Sequence, residues 1–359
     1  MKIGIDIRST LKKTTGIGRY TLNLINAVAR VDRSNEYYLY SRKKILDFKR
    51  RLPVLPGGNF FHCADYFGRG PGRALPKVDL FHTSSYDLQK PERAKFFVTI
   101  HDVIVKAYPY GHTEHTIEEI DRNLRDVLDK ADGLIADSYN TKSDLMKFYK
   151  VPDSKISVIY PGVSSLFSEL KPERANRGVD SKEDDFILFV GTLEPRKNIE
   201  GLIKAFDWIK EHSGITHKLY IVGMKGWMFE NIFKAYEGSK FKKDIVFKGY
   251  IEEAYLKRLY QEASVFVYPS FYEGFGFPII EAFNAGVPVV TSKTSSCGEI
   301  AGDCALLIDP SDFREIADAI LRLISDGNLK RSLIEKGLNR AKEFTWAKTA
   351  EGFVRLFTQ

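Results

Sequence analysis

Tyr268-Pro-Ser-Phe-Tyr-Glu273-Gly-Phe-Gly276-Phe-Pro278-Ile-Ile-Glu281-Ala-Phe-Asn-Ala-Gly286-Val-Pro-Val-Val-Thr291 compresses a strand end, a glycine loop, a helix and a second strand into one short stretch. Residues 264–268 are a β-branched and aromatic run closed by Pro269 and Ser270. Gly274 and Gly276 free the backbone for positive φ and for close approach of a ligand. Pro278 suits the first turn of a helix expected over 278–285, with Gly286 as its stop and Pro288 barring continuation. Glycine loop and helix start therefore coincide, so unpaired N–H groups and the positive end of the helix dipole face one place. That place suits an anion, most often a phosphate.

Two acids sharpen the reading. Glu273 lies in the loop and Glu281 in the first or second helical turn. A carboxylate beside a phosphate is repelled, so Glu281 is expected to reach past it to hydroxyls, from which carboxylates accept in pairs. A phosphate cradle flanked by two hydroxyl-binding carboxylates describes a nucleotide sugar. The plainer alternative is an ordinary strand-to-helix turn with a capping glutamate.

Upstream, the same grammar opens a sheet at 186–190. Gly191-Thr-Leu-Glu-Pro-Arg196-Lys197-Asn follows it, then a helix carrying Leu202, Ile203, Phe206 and Ile209. Arg196 and Lys197 would suit a diphosphate, the first as a fork and the second as a point charge, unless they are solvent-exposed turn residues. Strands are expected at 219–223, 245–247, 264–268, 287–291 and 305–308, and helices near 312–325 and 328–343, with a last apolar-periodic stretch to Phe357.

The first half repeats the pattern. A buried strand at 2–6 leads into a turn that holds Gly16 and Gly18, then a helix over 21–31; such a turn can be a phosphate or substrate loop or can merely relieve crowding. Strand candidates at 37–40, 80–82, 96–100, 133–136 and 156–159 alternate with helical patterns, which implies a parallel sheet with helices on both faces. His101 follows the strand expected at 96–100, where it could polarise a substrate group or simply cap the strand. Residues 168–185 are polar and rich in charge, and read as a linker between an N-terminal domain, 1–167, and a C-terminal domain, 186–344.

At 359 residues and 43% hydrophobic content, the chain has room for two globular domains. Asp6 and Arg8 interrupt the apolar start, so no signal segment is expected, and no run approaches the roughly 18 apolar residues of a membrane span. Three cysteines without Cys-x-x-Cys spacing point to a reducing compartment and no zinc site. The first 180 residues hold 30 Lys and Arg against 22 Asp and Glu, the remainder 24 against 25, so the basic excess sits in the first half. Arg42, Lys43, Lys44, Lys49, Arg50 and Arg51, followed by Phe60, Phe61, Tyr66 and Phe67, could meet anionic lipid or a phosphate-bearing acceptor, or form a solvated helix face. A nucleic-acid partner is not expected.

With these residues placed, the sequence resembles glycosyltransferase family 4, the retaining enzymes of GT-B fold, over nearly the whole chain. The carrying motifs are Gly-Ile-Gly-Arg-Tyr at 16–20, Ile-His-Asp-Val at 100–103, Gly-Thr-Leu-Glu-Pro-Arg-Lys-Asn at 191–198, Glu-Gly-Phe-Gly-Phe-Pro-Ile-Ile-Glu at 273–281 and Gly-Asp-Cys-Ala-Leu-Leu-Ile-Asp-Pro at 302–310. The resemblance implies two Rossmann-like α/β domains with parallel sheets facing across a cleft, the second holding a nucleotide sugar and the first an acceptor, with 345–359 returning to the first domain. It implies that Glu273 holds donor-sugar hydroxyls, that the amides of Gly274, Phe275, Gly276 and Phe277 approach sugar and diphosphate, and that Glu281 meets the ribose. Arg196 and Lys197 would neutralise the leaving diphosphate, His101 would contact the transferred sugar, Tyr250 and Ile251 would lie by the base, and Gly16 and Gly18 would join the donor loop. Many relatives carry a basic residue where this chain has Thr192, which makes Lys197 the firmer of the two cations.

The expected activity is transfer of a hexose from a nucleoside diphosphate to a sugar hydroxyl of a glycan or lipid-linked acceptor, with retention. Residues 191–198 and 223–227 look most like bacterial mannosyltransferases of surface polysaccharide, which makes GDP-mannose the first donor and a UDP-sugar the second. No Asp-x-Asp pair is present to hold a metal, and no separate cofactor is expected because the nucleotide sugar is a substrate. A GT-B epimerase would consume donor without acceptor, and a nicotinamide dehydrogenase would need a third glycine that residues 14–19 lack. A non-catalytic carbohydrate-binding protein would not need both cations and both acids at one cleft. The expected location is the cytoplasm, with peripheral attachment to the inner face of the membrane through 42–67 as an extension.

Overall fold

The computed structural model describes residues 1–11, 16–42, 52–87, 90–111, 113–163 and 185–358. The chain divides into two compact units: residues 1–106, 114–162 and 344–359 form unit 1, and residues 107–113 and 163–343 form unit 2. Residues 168–184, most of the expected linker, lie outside the described residues, as do Lys43, Lys44, Lys49, Arg50 and Arg51 of the basic cluster.

Unit 1 is a seven-stranded sheet in the order β3-β2-β1-β4-β5-β6-β7, with every pairing parallel. Its strands are β1 (Lys2–Asp6), β2 (Glu36–Arg42), β3 (Phe60–Asp65), β4 (Leu80–Thr83), β5 (Lys95–Ile100), β6 (Gly133–Ala136) and β7 (Ile156–Val158). Continuous burial along β4 and β6 is what a parallel sheet covered on both faces demands. One face packs Ile3, Ile5, Leu24, Ile25 and Val28 with Ala350, Phe353 and Phe357, so the Trp346–Thr358 helix is part of this core. Phe353 meets the ring of His82 edge-on at 4.8 Å, and Phe357 meets Phe97 at 4.9 Å. Burying each phenylalanine stabilises the unit by about 1.5–3 kcal/mol.

Two expectations are corrected here. Gly16 and Gly18 are not in a turn: the helix spans Gly16–Val31, and both glycines sit in its first turn because the apolar stripe of Leu24 and Val28 continues back to Tyr20. The aromatics at 60–67 are not one surface patch either. Phe60 belongs to β3, is 1% exposed and stacks on Tyr37 at 4.7 Å, whereas Phe61, Tyr66 and Phe67 are exposed.

Unit 2 is a six-stranded, all-parallel sheet in the order β10-β9-β8-β11-β12-β13. Its strands are β8 (Phe186–Val190), β9 (Lys218–Val222), β10 (Ile245–Gly249), β11 (Val265–Tyr268), β12 (Val289–Ser292) and β13 (Leu306–Ile308). The Ile199–Ser213 helix buries Leu202, Ile203, Phe206 and Ile209, the residues its periodicity selects. The Phe313–Ser325 helix is capped by Asp312, whose carboxylate accepts from the amides of Arg314 and Glu315. Among the described residues no helix is long and apolar enough to cross a membrane.

Within unit 1, Gly162 is where the chain entering the Trp346–Thr358 helix passes closest. A Cβ there would lie 2.1 Å from the Trp346 nitrogen and 2.6 Å from the Thr345 carbonyl carbon, both backbone atoms that cannot swing aside. Gly162→Ala is therefore expected to cost about 1–3 kcal/mol and lower Tm by several degrees in thermal unfolding. Gly238→Ala, with nothing within 4 Å, should leave it nearly unchanged.

Candidate active site

In unit 2 the chain steps outward from β8 through β9 to β10, then returns to the other side of β8 as β11 and continues through β12 to β13. β8 and β11 are thus neighbours at a point where strand order reverses, and ligands of open α/β sheets bind outside the carboxyl ends of such strands. The two stretches singled out in the sequence leave the sheet there, 191–198 after β8 and 269–277 after β11.

Pro195–Lys197 forms a single 3-10 turn that ends on Asn198 in the left-handed region, directly before the Ile199–Ser213 helix. This turn aims both cations at the loop after β11. Arg196 Nη1 donates to the carbonyl of Tyr272 at 3.1 Å and to Glu273 Oε2. Lys197 Nζ donates to Glu273 Oε1 at 2.6 Å and to the Tyr268 hydroxyl at 2.6 Å, and that hydroxyl donates to the same Oε1 at 3.0 Å. The Glu273 backbone is fixed as well, its N–H donating to Ser295 Oγ at 3.2 Å and its carbonyl accepting from Ser296 Oγ at 2.9 Å.

Burial alone would raise the Glu273 carboxyl, but Arg196 and Lys197 overcome it and hold the group at about 2. It is a carboxylate at any physiological pH. Burial also lowers Lys197 from the usual lysine range, against the pull of Glu273. Glu194, 1% exposed, completes the cluster, with Oε1 2.6 Å from Arg196 Nε. Burial raises its carboxyl above the ordinary glutamate value.

Gly276 has φ of 106°, a conformation open to glycine, and it precedes the Phe277–Asn284 helix with Pro278 in the first turn. Phe275 is buried and meets Phe277 edge-on at 4.9 Å, which stiffens the loop around Gly274 and Gly276. Glu281 lies one turn into the helix and accepts from the Tyr260 hydroxyl at 2.9 Å. Tyr250, 71% exposed, and Ile251 follow β10, two strands from β8 in the same sheet.

Of the expected residues, then, the structure brings Arg196, Lys197, Glu273 and the 274–277 loop together in unit 2, with Glu281 one turn on. Gly16, Gly18 and His101 belong to unit 1. His101 follows β5 and Asp137 follows β6; Ile100 pairs with Ala136, so the register sets the two side by side. Nδ1 of His101 lies 2.6 Å from Asp137 Oδ2, Tyr20 meets the ring edge-on at 4.7 Å, and the buried Nε2 has no hydrogen-bond partner among the described residues. Burial opposes charge on this imidazole, but Asp137 outweighs it and His101 titrates above the usual histidine value.

Sequence reasoning missed Glu194, Tyr268 and Asp137 as members of these clusters. It also missed the strand-order reversal of unit 1 between β1 and β4, where Arg8 is held by Asp6 at 3.0 Å and by Asp87 at 2.9 Å, with Thr83 donating to Asp6 at 2.8 Å. Asp137 follows a strand end as His101 does, but only strand order makes them neighbours. Among the described residues no group of three or more His, Cys, Asp or Glu side chains could hold a metal ion.

Two outcomes test this geometry. A group with a depressed folded pKa contributes stability above its unfolded value and loses it as pH falls through the folded one. The stability gap between wild type and Glu273→Gln, measured by urea unfolding, should therefore be constant above about pH 4.5 and close as pH approaches 2. Asp137→Asn removes the charge that favours the imidazolium, and NMR titration of labelled histidine should show His101 shifted to lower pKa.

The family model described as glycosyl transferases group 1 matches residues 171–340, and that described as Glycosyltransferase Family 4 matches residues 14–165. The O-antigen chain mannosyltransferase B of Escherichia coli is 29% identical over 367 residues, covering 92% of this chain and 93% of that one. A sucrose-phosphate synthase structure from Thermosynechococcus elongatus superposes with a TM-score of 0.78 at 21% identity, covering 100% and 98% of the two chains. An Anabaena structure solved in complex with UDP and glucose superposes at 0.73 and 15% identity, covering 100% and 99%. The chain belongs to the glycosyltransferases, with a family 4 domain followed by a group 1 domain.

Proposed function

We propose that this glycosyltransferase transfers a hexose, with mannose from GDP-mannose as the first choice, to a sugar hydroxyl of a glycan or lipid-linked acceptor in cell-surface polysaccharide synthesis, with retention of anomeric configuration. The observation that carries the reading is the Arg196–Glu273–Lys197 cluster beside the start of the Phe277–Asn284 helix. In this reading the two cations meet the departing diphosphate and the carboxylate meets sugar hydroxyls.

Lone pairs set what Glu273 can still do. Oε1 accepts from both Lys197 and Tyr268 and is filled, whereas Oε2 accepts from Arg196 and keeps capacity for one hydroxyl. In this proposal Arg196, Lys197 and the helix amides stabilise charge that develops on the departing diphosphate, the task a metal performs in other transferases. The C1–O bond to phosphate breaks with its electron pair leaving on the diphosphate. The acceptor oxygen bonds to C1 on the same face, and its proton passes to the departing phosphate oxygen. Glu281 would accept from the ribose, and Tyr250 and Ile251 would lie by the base.

Support for mannose is the likeness to the Escherichia coli mannosyltransferase over nearly the full length of both chains. The Anabaena neighbour, solved with UDP and glucose, makes a UDP-sugar the second reading. Incubation with a panel of nucleotide sugars, with and without lipid-linked acceptors, tests both. Turnover of GDP-mannose only when acceptor is present is the expected result; turnover of a UDP-sugar alone would replace the donor, and consumption without acceptor would overturn transfer. In the same assay the pair Arg196→Ala, Lys197→Ala should lose about a hundredfold or more in kcat, and full turnover would remove both cations from the leaving-group role.

A further inference from the structure

Glu194 has no part in the reading above, yet it is buried within the same cluster. Its Oε1 touches Arg196 Nε at 2.6 Å, while its Oε2 is closed to solvent and has no hydrogen-bond partner among the described residues. Among the described residues, three charged groups act on it most. Arg196 and Lys197 come from its own turn, and Glu273 from the loop after β11. The loop after β9 packs against it through Gly226, and the cation of that loop, Lys225, is turned away over the rings of Phe229 and Phe233 at 5.0 and 4.7 Å.

Two carboxylates and two cations sum to no net charge. A nucleoside diphosphate arrives with negative charge on both phosphates, and in a site closed to water that imbalance favours protonation of a carboxylate. Protonating Glu273 would forfeit bonds to Arg196, Lys197 and Tyr268. Protonating Oε2 of Glu194 forfeits none.

We propose that Glu194 binds a proton whenever a diphosphate occupies the Arg196 and Lys197 cations, so that donor binding and product release each exchange a proton through this buried carboxyl. The inference rests on the donor site described above. Burial already biases the Glu194 carboxyl toward its neutral form, in keeping with this role. Binding then weakens as pH rises, because the proton must be recruited from a thinner supply.

Isothermal titration of the full chain with GDP, UDP and inorganic pyrophosphate, each in buffers of different ionisation enthalpy, reads the proton directly. Wild type should take up about one more proton per diphosphate than Glu194→Gln near pH 7, and its affinity should fall up to about tenfold more per pH unit. Protons bound by the ligand itself are common to both proteins and cancel. Glu194→Asp should restore the uptake, which a packing defect would not. Equal proton exchange in wild type and Glu194→Gln, or a folded Glu194→Asp that takes up no extra proton, would overturn the inference while leaving the donor site intact. Failure of all three probes to bind wild type would overturn the donor-site reading and this inference with it.

Discussion

One carboxylate organises unit 2. Glu273 is buried, and a buried charge persists where opposite charges and hydrogen bonds compensate its lost hydration. Arg196 and Lys197 provide that compensation from a turn more than seventy residues earlier in the chain. They can reach it because β8 and β11 are adjacent and parallel, so that both loops leave the same edge of the sheet. The ion cluster therefore depends on the strand order, and the strand order on the right-handed crossovers of a parallel sheet. A cluster built this way is already joined by hydrogen bonds within the chain itself, which, under the proposed function, would suit a reaction in which charge must be stabilised without reorganisation.

Much of the candidate site's geometry was legible because its chemistry is local. The Gly-Phe-Gly-Phe-Pro run fixes a positive-φ residue and a helix start within a few residues, and the structure has Gly276 at φ 106° directly before Phe277–Asn284. Arg196 and Lys197 stand out for the same reason, as adjacent cations at a glycine turn. Glu194 was in full view in the same motif, but nothing in a linear reading separates a buried acid from a solvated one. The loop after β9 packs over Glu194 through Gly226, held there by the Leu193 N–H donating to the Met224 carbonyl and the Gly226 N–H donating to the Leu193 carbonyl.

Unit 1 was legible as a parallel sheet but less so at its edges. β3 escaped notice because Phe-Phe-His-Cys-Ala-Asp has no clean alternation, and its partner strand is what buries Phe60. The start of the first helix was set too late because glycines were read as turn residues; tertiary packing of Tyr20 overrides that weak local preference. Asp137 illustrates a different limit. Its importance to His101 follows from register, a property of two strands that no single stretch of sequence contains.

The Trp346–Thr358 helix gives unit 1 an unusual history. Its apolar face fills the core formed by residues near the start of the chain, so one hydrophobic interior is assembled from segments separated by all of unit 2. During vectorial synthesis the sheet of unit 2 is complete before Phe353 and Phe357 have been made. Until then the first-made half exposes the apolar groove these rings will fill, which is the kind of surface that chaperones hold and that aggregation exploits.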